Sequence, residues 1–494
     1  MWTPLTPRRA SRRAWPSRRQ PPASAETGPP SGGAGLPEAP LGGHEVGRIG
    51  RLGAAAGRLS PAQVGLVAAA LALAFAVLRL VVAADGDVSR FVVAGDTFVD
   101  RSAVERTTGA SLHVFPSSGY DGQFFWRVAV APGDWRPGTH HGVEFDNAYR
   151  APRIGYPLLA HLVSGGRAGT VASALVAVNV AAVGAIGYGA GRLARAGGHP
   201  AAWGLTLTAG SGLVMGLARD LAEPVTVACL VGGLAALVQR RPVLATALWS
   251  AAVLTREQAL ISVAGYAVWR LASLVRGRAR ARVRSRSGAA QPTGPAGPGG
   301  PEAADRPAGP PRRREPAGPR GHAAPAGPAV EPVRLADLPW LVPTLVFVGW
   351  QAILWRSTGE VPATAAGGTN VVPPFTDLVP GLAHWATGDL PRLHAVAPLQ
   401  LGATVAVVVV AAQAAPRVPA AHRYVTASLV LATAAATCLA ASIWRDPSDM
   451  RHLIDVWVLG WAVLLLADRP PPRWAALLAA GVCAATVAAR VVAI

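Results

Sequence analysis

Lysine is absent from this 494-residue chain, cysteine and methionine occur three times each, and residues of either charge make up only 15% of it. Without lysine, all 46 cationic side chains other than histidine are arginine, a usage that points to a GC-rich genome. The three cysteines, Cys229, Cys438 and Cys483, lie inside apolar runs, where a free thiol behaves as a small hydrophobe; a disulfide framework is excluded. A glycine-rich phosphate loop, a Ser-His-Asp ordering and a cysteine pair are also missing, so ATP-driven transport and serine hydrolysis have no chemical footing. No Rossmann-like segment is legible that could hold a nucleotide sugar.

What is present is largely apolar. Hydrophobic residues make up 51% of the chain and the mean hydropathy is +0.32, which at this length fits a polytopic membrane protein better than a water-soluble one. Apolar runs fall near 61–84, 168–190, 201–218, 221–238, 242–254, 258–275, 336–355, 397–415, 422–442, 453–467 and 473–489. Taken as helices they predict about eleven crossings of a layer roughly 30 Å thick, the run at 242–254 being the shortest for that purpose. The fold class expected is an all-α polytopic membrane protein, with the lipid bilayer as its first partner.

The polar stretches divide the chain. Residues 1–58 are rich in Pro, Gly, Ala and paired arginines and read as a disordered basic cytoplasmic tail. An N-terminal membrane module follows at 59–275, interrupted after its first crossing by a long loop at 85–153. That loop holds most of the acidic residues outside the tail and linker: Asp96, Asp100, Glu105, Asp121, Asp134, Glu144 and Asp146. Residues 276–334 begin with alternating arginines, continue in Pro-Ala-Gly units and read as a disordered cytoplasmic linker. A C-terminal membrane module takes 335–494. The arginine runs beside the membrane suit topogenic and anionic-lipid roles, and nucleic acid is not expected as a partner.

Arginine-rich flanks facing the cytoplasm put the N-terminus inside and the 85–153 loop outside. With them on the outside go Arg219 to Glu223, Thr255 to Gln258, the 356–396 loop and Trp444 to Arg451. Carboxylates therefore collect at helix ends on one face. A transporter more often keeps its ionisable groups near the midplane, where the helices offer little beyond Asn179 and hydroxyls.

Two motifs in the long loop stand out: Gly119-Tyr120-Asp121-Gly122-Gln123-Phe124-Phe125-Trp126-Arg127, and Tyr149-Arg150-Ala151-Pro152-Arg153-Ile154-Gly155-Tyr156-Pro157. With Thr255-Arg256-Glu257-Gln258 and Trp444-Arg445-Asp446-Pro447-Ser448-Asp449-Met450-Arg451, their order resembles the bacterial integral-membrane glycosyltransferases of the GT-C fold, in particular the group linked to cell-surface glycopolymer formation. The resemblance covers roughly 60–275 and 335–467. It implies transfer of a sugar from a polyprenyl-phosphate carrier to a cell-envelope glycan acceptor on the outer face of a bacterial plasma membrane. It also implies that Asp121, early in the first outer loop, is the catalytic base. A single Asp in place of an acidic pair leaves a divalent cation open as a cofactor, with no metal ligands assigned.

Taken by themselves, the residues have plainer roles as well. Asp121 can cap the helix expected over 123–130. Tyr120 and Gln123 flank it as substrate-binding candidates. Arg150, Arg153, Arg256, Arg445 and Arg451 are candidate phosphate binders at helix ends, or snorkelling interfacial arginines. Arg256, beside Glu257 between two apolar runs, is the favoured one. Asp220 and Glu223 either serve the donor or cap the helix that begins near Pro224. Asp446 and Asp449 pair with neighbouring arginines, His140 and His141 are loop histidines, and Trp340, Trp350, Trp355 and Trp444 form an aromatic belt. A lipid-linked glycan flippase or transporter and a non-catalytic membrane scaffold are the alternative functions.

Overall fold

A computed structural model describes residues 58–289, 334–365, 371–387, 396–445 and 451–492. The tail at 1–57, most of the linker, and Asp446 and Asp449 lie outside the described residues. Everything described falls within one compact unit, Leu52–Ile494.

The first helix, α1 (Pro61–Val82), starts where its sequence dictates. Ser60 Oγ accepts from the Gln63 amide, Gln63 Oε1 accepts from the Ser60 amide, and Pro61 occupies the first helical position, where its missing N–H costs nothing. The 83–154 segment that follows is a small folded unit with α2 (Arg101–Thr108), α3 (Gly122–Val130) and two pairs of short strands. β1 (Ala94–Gly95) pairs in parallel with β2 (Val114–Phe115), and β3 (Gly138–His140) pairs antiparallel with β4 (Val143–Phe145). The chain is thus mostly, but not wholly, helical. His141 and Gly142, both at positive φ, form the tight turn between β3 and β4.

Next come α4 (Gly155–Ser164), α5 (Ala168–Ala196), α6 (Leu205–Thr208), α7 (Ser211–Ala218), α8 (Glu223–Val238), α9 (Pro242–Thr255) and α10 (Leu260–Ala289). Helix α10 runs on through Arg276–Arg286, so the linker does not begin at 276: arginine is a good helix former and no proline intervenes before 292. Beyond the linker lie α11 (Leu338–Thr358), α12 (Pro362–Ala365), α13 (Leu378–Thr387), α14 (Ala397–Ala414), α15 (Tyr424–Ala436), α16 (Ala441–Arg445), α17 (Ile454–Leu466) and α18 (Arg473–Val492).

Among the described residues six helices are long and apolar enough to cross a membrane, α1, α5, α10, α11, α14 and α18, which makes the chain a multi-pass helical membrane protein. The 201–218 run is not one straight crossing but two pieces bent by 62°, which makes a seventh if counted as one span. Helices α8, α9, α15 and α17 have 13 to 16 residues. At 1.5 Å per residue they reach about 20–24 Å, short of a straight crossing. Length therefore supports six or seven of the eleven expected crossings.

Helices α1 and α5 approach closely because glycines line the contact: a Cβ on Gly65 would lie 2.9 Å from the Gly184 carbonyl. The membrane stretches on either side of residues 290–333 share one core, in which Leu230, Trp249 and Tyr266 are buried with Val407, Tyr424 and Trp461. A second core fills the 83–154 unit, with Phe124, Phe125, Trp126 and Phe145 packed against Tyr156 and Leu175. Two of the belt tryptophans have other roles. Trp350 Nε1 donates to the Pro152 carbonyl at 2.9 Å, docking α11 on the loop unit, and Trp444 is buried beside Leu453.

Candidate functional site

The Tyr120–Arg127 motif divides its labour. Phe124, Phe125 and Trp126 are core. Arg127, fully buried, donates to the carbonyls of Arg136, Gly138 and Val143 and stacks 3.7 Å from the Phe145 ring centroid, fixing the β3–β4 hairpin. Gln123 is consumed by backbone: its Oε1 accepts from the Gly95 amide and its Nε2 donates to the Ser118 carbonyl, each at 3.0 Å. It is 1% exposed and faces no open site. Gly122 is required by close approach, since a Cβ there would lie 2.6 Å from the Val92 carbonyl and 2.8 Å from that of Arg219.

Asp121 occupies the N-cap position of α3 but makes no capping hydrogen bond. Its carboxylate accepts from three guanidiniums instead. Arg451 Nη2 donates to Oδ2 at 3.1 Å, Arg153 Nη1 to the same oxygen at 3.4 Å, and Arg150 Nη1 to Oδ1 at 3.3 Å. Burial alone would raise the proton affinity of this carboxylate. The three cations outweigh burial and hold it well below the usual carboxylate range.

Packing brings these arginines together from distant parts of the sequence. A Cβ on Gly155 would lie 2.3 Å from Thr255 Oγ1, so only glycine lets the 153–157 turn lie against the end of α9. That contact sets Arg153 beside Glu257, to which its Nη2 donates at 2.9 Å. Arg153 Nη2 also donates to the Tyr149 hydroxyl at 2.8 Å. The bend at Gly210 leaves Gly212 against the Arg451 backbone, a Cβ there being 3.2 Å from Arg451 Cα, and so presents Arg451 to Asp121 from 330 residues away.

A second carboxylate lies deeper. Glu223, 1% exposed, accepts from Arg256 Nη1 at 2.5 Å and pairs with Arg451 Nη1 at 3.4 Å. Arg451 thereby bridges Asp121 and Glu223. Arg256 Nη2 and Gln258 Nε2 lie 3.4 and 3.3 Å from His452 Nδ1. Both groups are donors, so Nδ1 is an acceptor and the imidazole carries its proton on Nε2. Burial first, then the neighbouring guanidiniums, hold His452 neutral, well below the ordinary histidine range.

Eight of the expected site residues thus form one network: Tyr120, Asp121, Arg150, Arg153, Glu223, Arg256, Glu257 and Arg451. Gln123 is outside it, and the side chain of Arg445 lies outside the described residues. Asp220 is also separate. It sits at φ 48° in the turn before α8, fully buried, with neither carboxylate oxygen hydrogen-bonded, and burial pushes its carboxyl well above the usual range despite nearby Arg79. Neither Asp220 nor Glu223 caps α8, whose N-cap is Ala222. Asn179 holds the same turn, donating to the carbonyls of Gly216 and Leu221 and to the Tyr156 hydroxyl.

Three participants were not singled out from sequence: Tyr149, His452 and Arg219. Arg219 lies over the Tyr120 ring at 4.5 Å, next to Arg451 at 4.9 Å. Its adjacency to Asp220, and that of His452 to Arg451, were the only signals available. Among the described residues no three His, Cys, Asp or Glu side chains converge, and Asp121, Glu223 and Glu257 are each paired with arginine.

The class defined is a multi-pass helical membrane protein carrying an arginine–carboxylate cluster where the 83–154 unit meets the helix ends. No family model, curated protein or solved structure matches the chain.

Proposed function

We propose that this protein is a GT-C-like membrane glycosyltransferase that moves a sugar from a polyprenyl-phosphate carrier to a cell-envelope acceptor on the outer face of a bacterial plasma membrane. The observation that carries the proposal is the convergence of Asp121 with Arg150, Arg153 and Arg451 at helix ends. Guanidiniums bind phosphate oxygens in bidentate fashion and stabilise the charge that develops on a phosphate leaving group.

In the resting site Asp121 is a weak base, because three cations stabilise its charged form. A donor phosphate that draws Arg451 and Arg153 toward itself removes that stabilisation and raises the proton affinity of the carboxylate. Asp121 then takes the proton of the acceptor hydroxyl as its oxygen bonds to the anomeric carbon. The bond from that carbon to the phosphate oxygen breaks, and the electron pair leaves with the phosphate. Direct attack inverts the anomeric configuration. Glu223, itself held by Arg256, keeps Arg451 in place rather than touching the sugar, and the neutral His452 accepts from Arg256 and Gln258.

A flippase is less well supported, because Asn179, its midplane candidate, is committed to backbone and Tyr156. The test is transfer of radiolabelled sugar from a panel of polyprenyl-phosphate donors in membranes holding wild type or Asp121→Asn. Transfer by wild type and its loss in the variant, at equal protein level, is expected. Full transfer by Asp121→Asn refutes the assignment.

A further inference from the structure

The turn that carries Arg150 and Arg153 is held from beyond the linker. Trp350 Nε1 on α11 donates at 2.9 Å to the carbonyl of Pro152, the residue between the two arginines. The same carbonyl accepts from the Ile154 amide at 3.0 Å, so the tight turn from which Arg153 projects is fixed by one local donor and one distant donor. Trp135, in the loop unit, sets its ring edge-on to that of Trp350 with centroids 5.3 Å apart, and its own Nε1 donates to Ser357 Oγ at 3.1 Å. Helix α12 lies against Ala148–Arg150 from the other side of the motif.

These contacts use one stripe of α11. Trp350, Leu354 and Ser357 follow the i, i+4, i+7 spacing of a single helix face; Leu354 is fully buried, whereas Ile353 and Trp355 beside it are exposed. Elsewhere α11 packs on α9 and α10, and it is the least buried of the six crossing helices. Small displacements matter at the arginines. The contacts of Arg150 and Arg153 with Asp121, 3.3 and 3.4 Å, stand at the long end of the hydrogen-bond range, so a backbone shift of a few tenths of an ångström at Pro152 makes or breaks them.

We propose that Trp350 is a positioning residue: its indole N–H, by holding the Pro152 carbonyl, sets Arg150 and Arg153 at Asp121 and ties the anion-binding side of the site to the seating of α11. The latch is read from the geometry alone, and its effect on transfer rests on the glycosyltransferase reading. Trp350 touches neither Asp121 nor a substrate in this scheme. It acts through the backbone of the turn, and lifting α11 from the loop unit would release both arginines together.

The test compares the full-length wild type with Trp350→Phe, which keeps a ring against Trp135 and removes the N–H, and with Trp355→Phe, a change at the exposed tryptophan of the same helix. With a polyprenyl-phosphate sugar as donor, loss of one neutral hydrogen bond is expected to raise the donor KM roughly threefold to tenfold in Trp350→Phe. The acceptor KM stays unchanged, and Trp355→Phe behaves as wild type. Ser357→Ala takes the acceptor from Trp135 and leaves Trp350 intact; it is expected to move the donor KM the same way by less, and serves as the test if Trp350→Phe folds poorly. A fall in kcat alone, with both KM values as in wild type, reports lost folded protein and overturns the assignment. The rise in melting temperature produced by inorganic phosphate reads the same positioning without turnover. It should be smaller in Trp350→Phe than in Trp355→Phe, and equal rises overturn the inference. A smaller rise beside absent transfer by wild type sinks the proposed function alone; transfer by wild type with the same donor KM in both tryptophan variants sinks this inference alone.

Discussion

Asp121 occupies the place an incoming anion needs, so its removal should tighten phosphate binding while abolishing transfer. An anion on the far side of the Arg451 guanidinium would sit about 6 Å from the carboxylate, the 3.1 Å contact plus one charge-assisted hydrogen bond of about 2.8 Å. Repulsion between two unit charges at that distance is about 3 kcal/mol at an effective dielectric constant of 20. The Asp121 side chain is 16% exposed, so screening lowers this to about 1–3 kcal/mol. Asp121→Asn should therefore bind inorganic phosphate or farnesyl phosphate about tenfold to a hundredfold more tightly than wild type. The same change leaves three guanidiniums facing one another, and the ligand-free variant should melt at a lower temperature. Thermal unfolding and titration calorimetry on purified protein, with and without farnesyl phosphate, give both quantities. A lowered melting temperature with an enlarged ligand-induced rise is expected. Equal or weaker phosphate affinity in Asp121→Asn would refute the idea that the carboxylate holds the anion's place.

Three further outcomes follow from the same geometry. Glu223→Gln strands Arg256, whose side chain is 4% exposed, and should cost about 3–5 kcal/mol of stability, whereas Glu223→Gln with Arg256→Met should recover most of it; a loss under about 1 kcal/mol in the single variant would contradict the pairing. Asp121 has a folded-state proton affinity below its unfolded one, so its contribution to stability is fully present above about pH 5 and is lost as pH falls through the unfolded value near 3.9 toward the lower folded one; melting temperatures of wild type and Asp121→Asn should converge over that acidic range, and parallel curves would exclude it. Arg127→Met removes donors to three carbonyls and should raise hydrogen exchange across 134–146 with little change in α8 and α9; uniform exchange would show that Arg127 does not hold the hairpin.

The membrane character of this chain was legible in its sequence because hydropathy is additive along a run: all eleven apolar stretches are helical over most of their length, while six or seven are long enough to cross. The start of α1 was equally local, fixed by Ser60, Pro61 and Gln63. The end of α10 was missed because alternating arginines resemble a solvated linker while also favouring helix. The candidate site was legible as residue types at helix ends. Asp121, Arg153, Arg256 and Arg451 could be named because charge beside apolar runs is rare and expensive.

Roles within the site were not legible, because they depend on which side chains meet. Sequence favoured Arg256 for an anion, yet the fold gives that arginine to Glu223 and sets Arg219 over the Tyr120 ring. Gln123 reads like Tyr120 in the motif, but one is spent on strand backbone and the other lies beneath two guanidiniums. Local composition determines helices, since their hydrogen bonds close within a few residues. An ion cluster assembled across 330 positions is decided only when glycine contacts at Gly122, Gly155 and Gly212 bring its segments together.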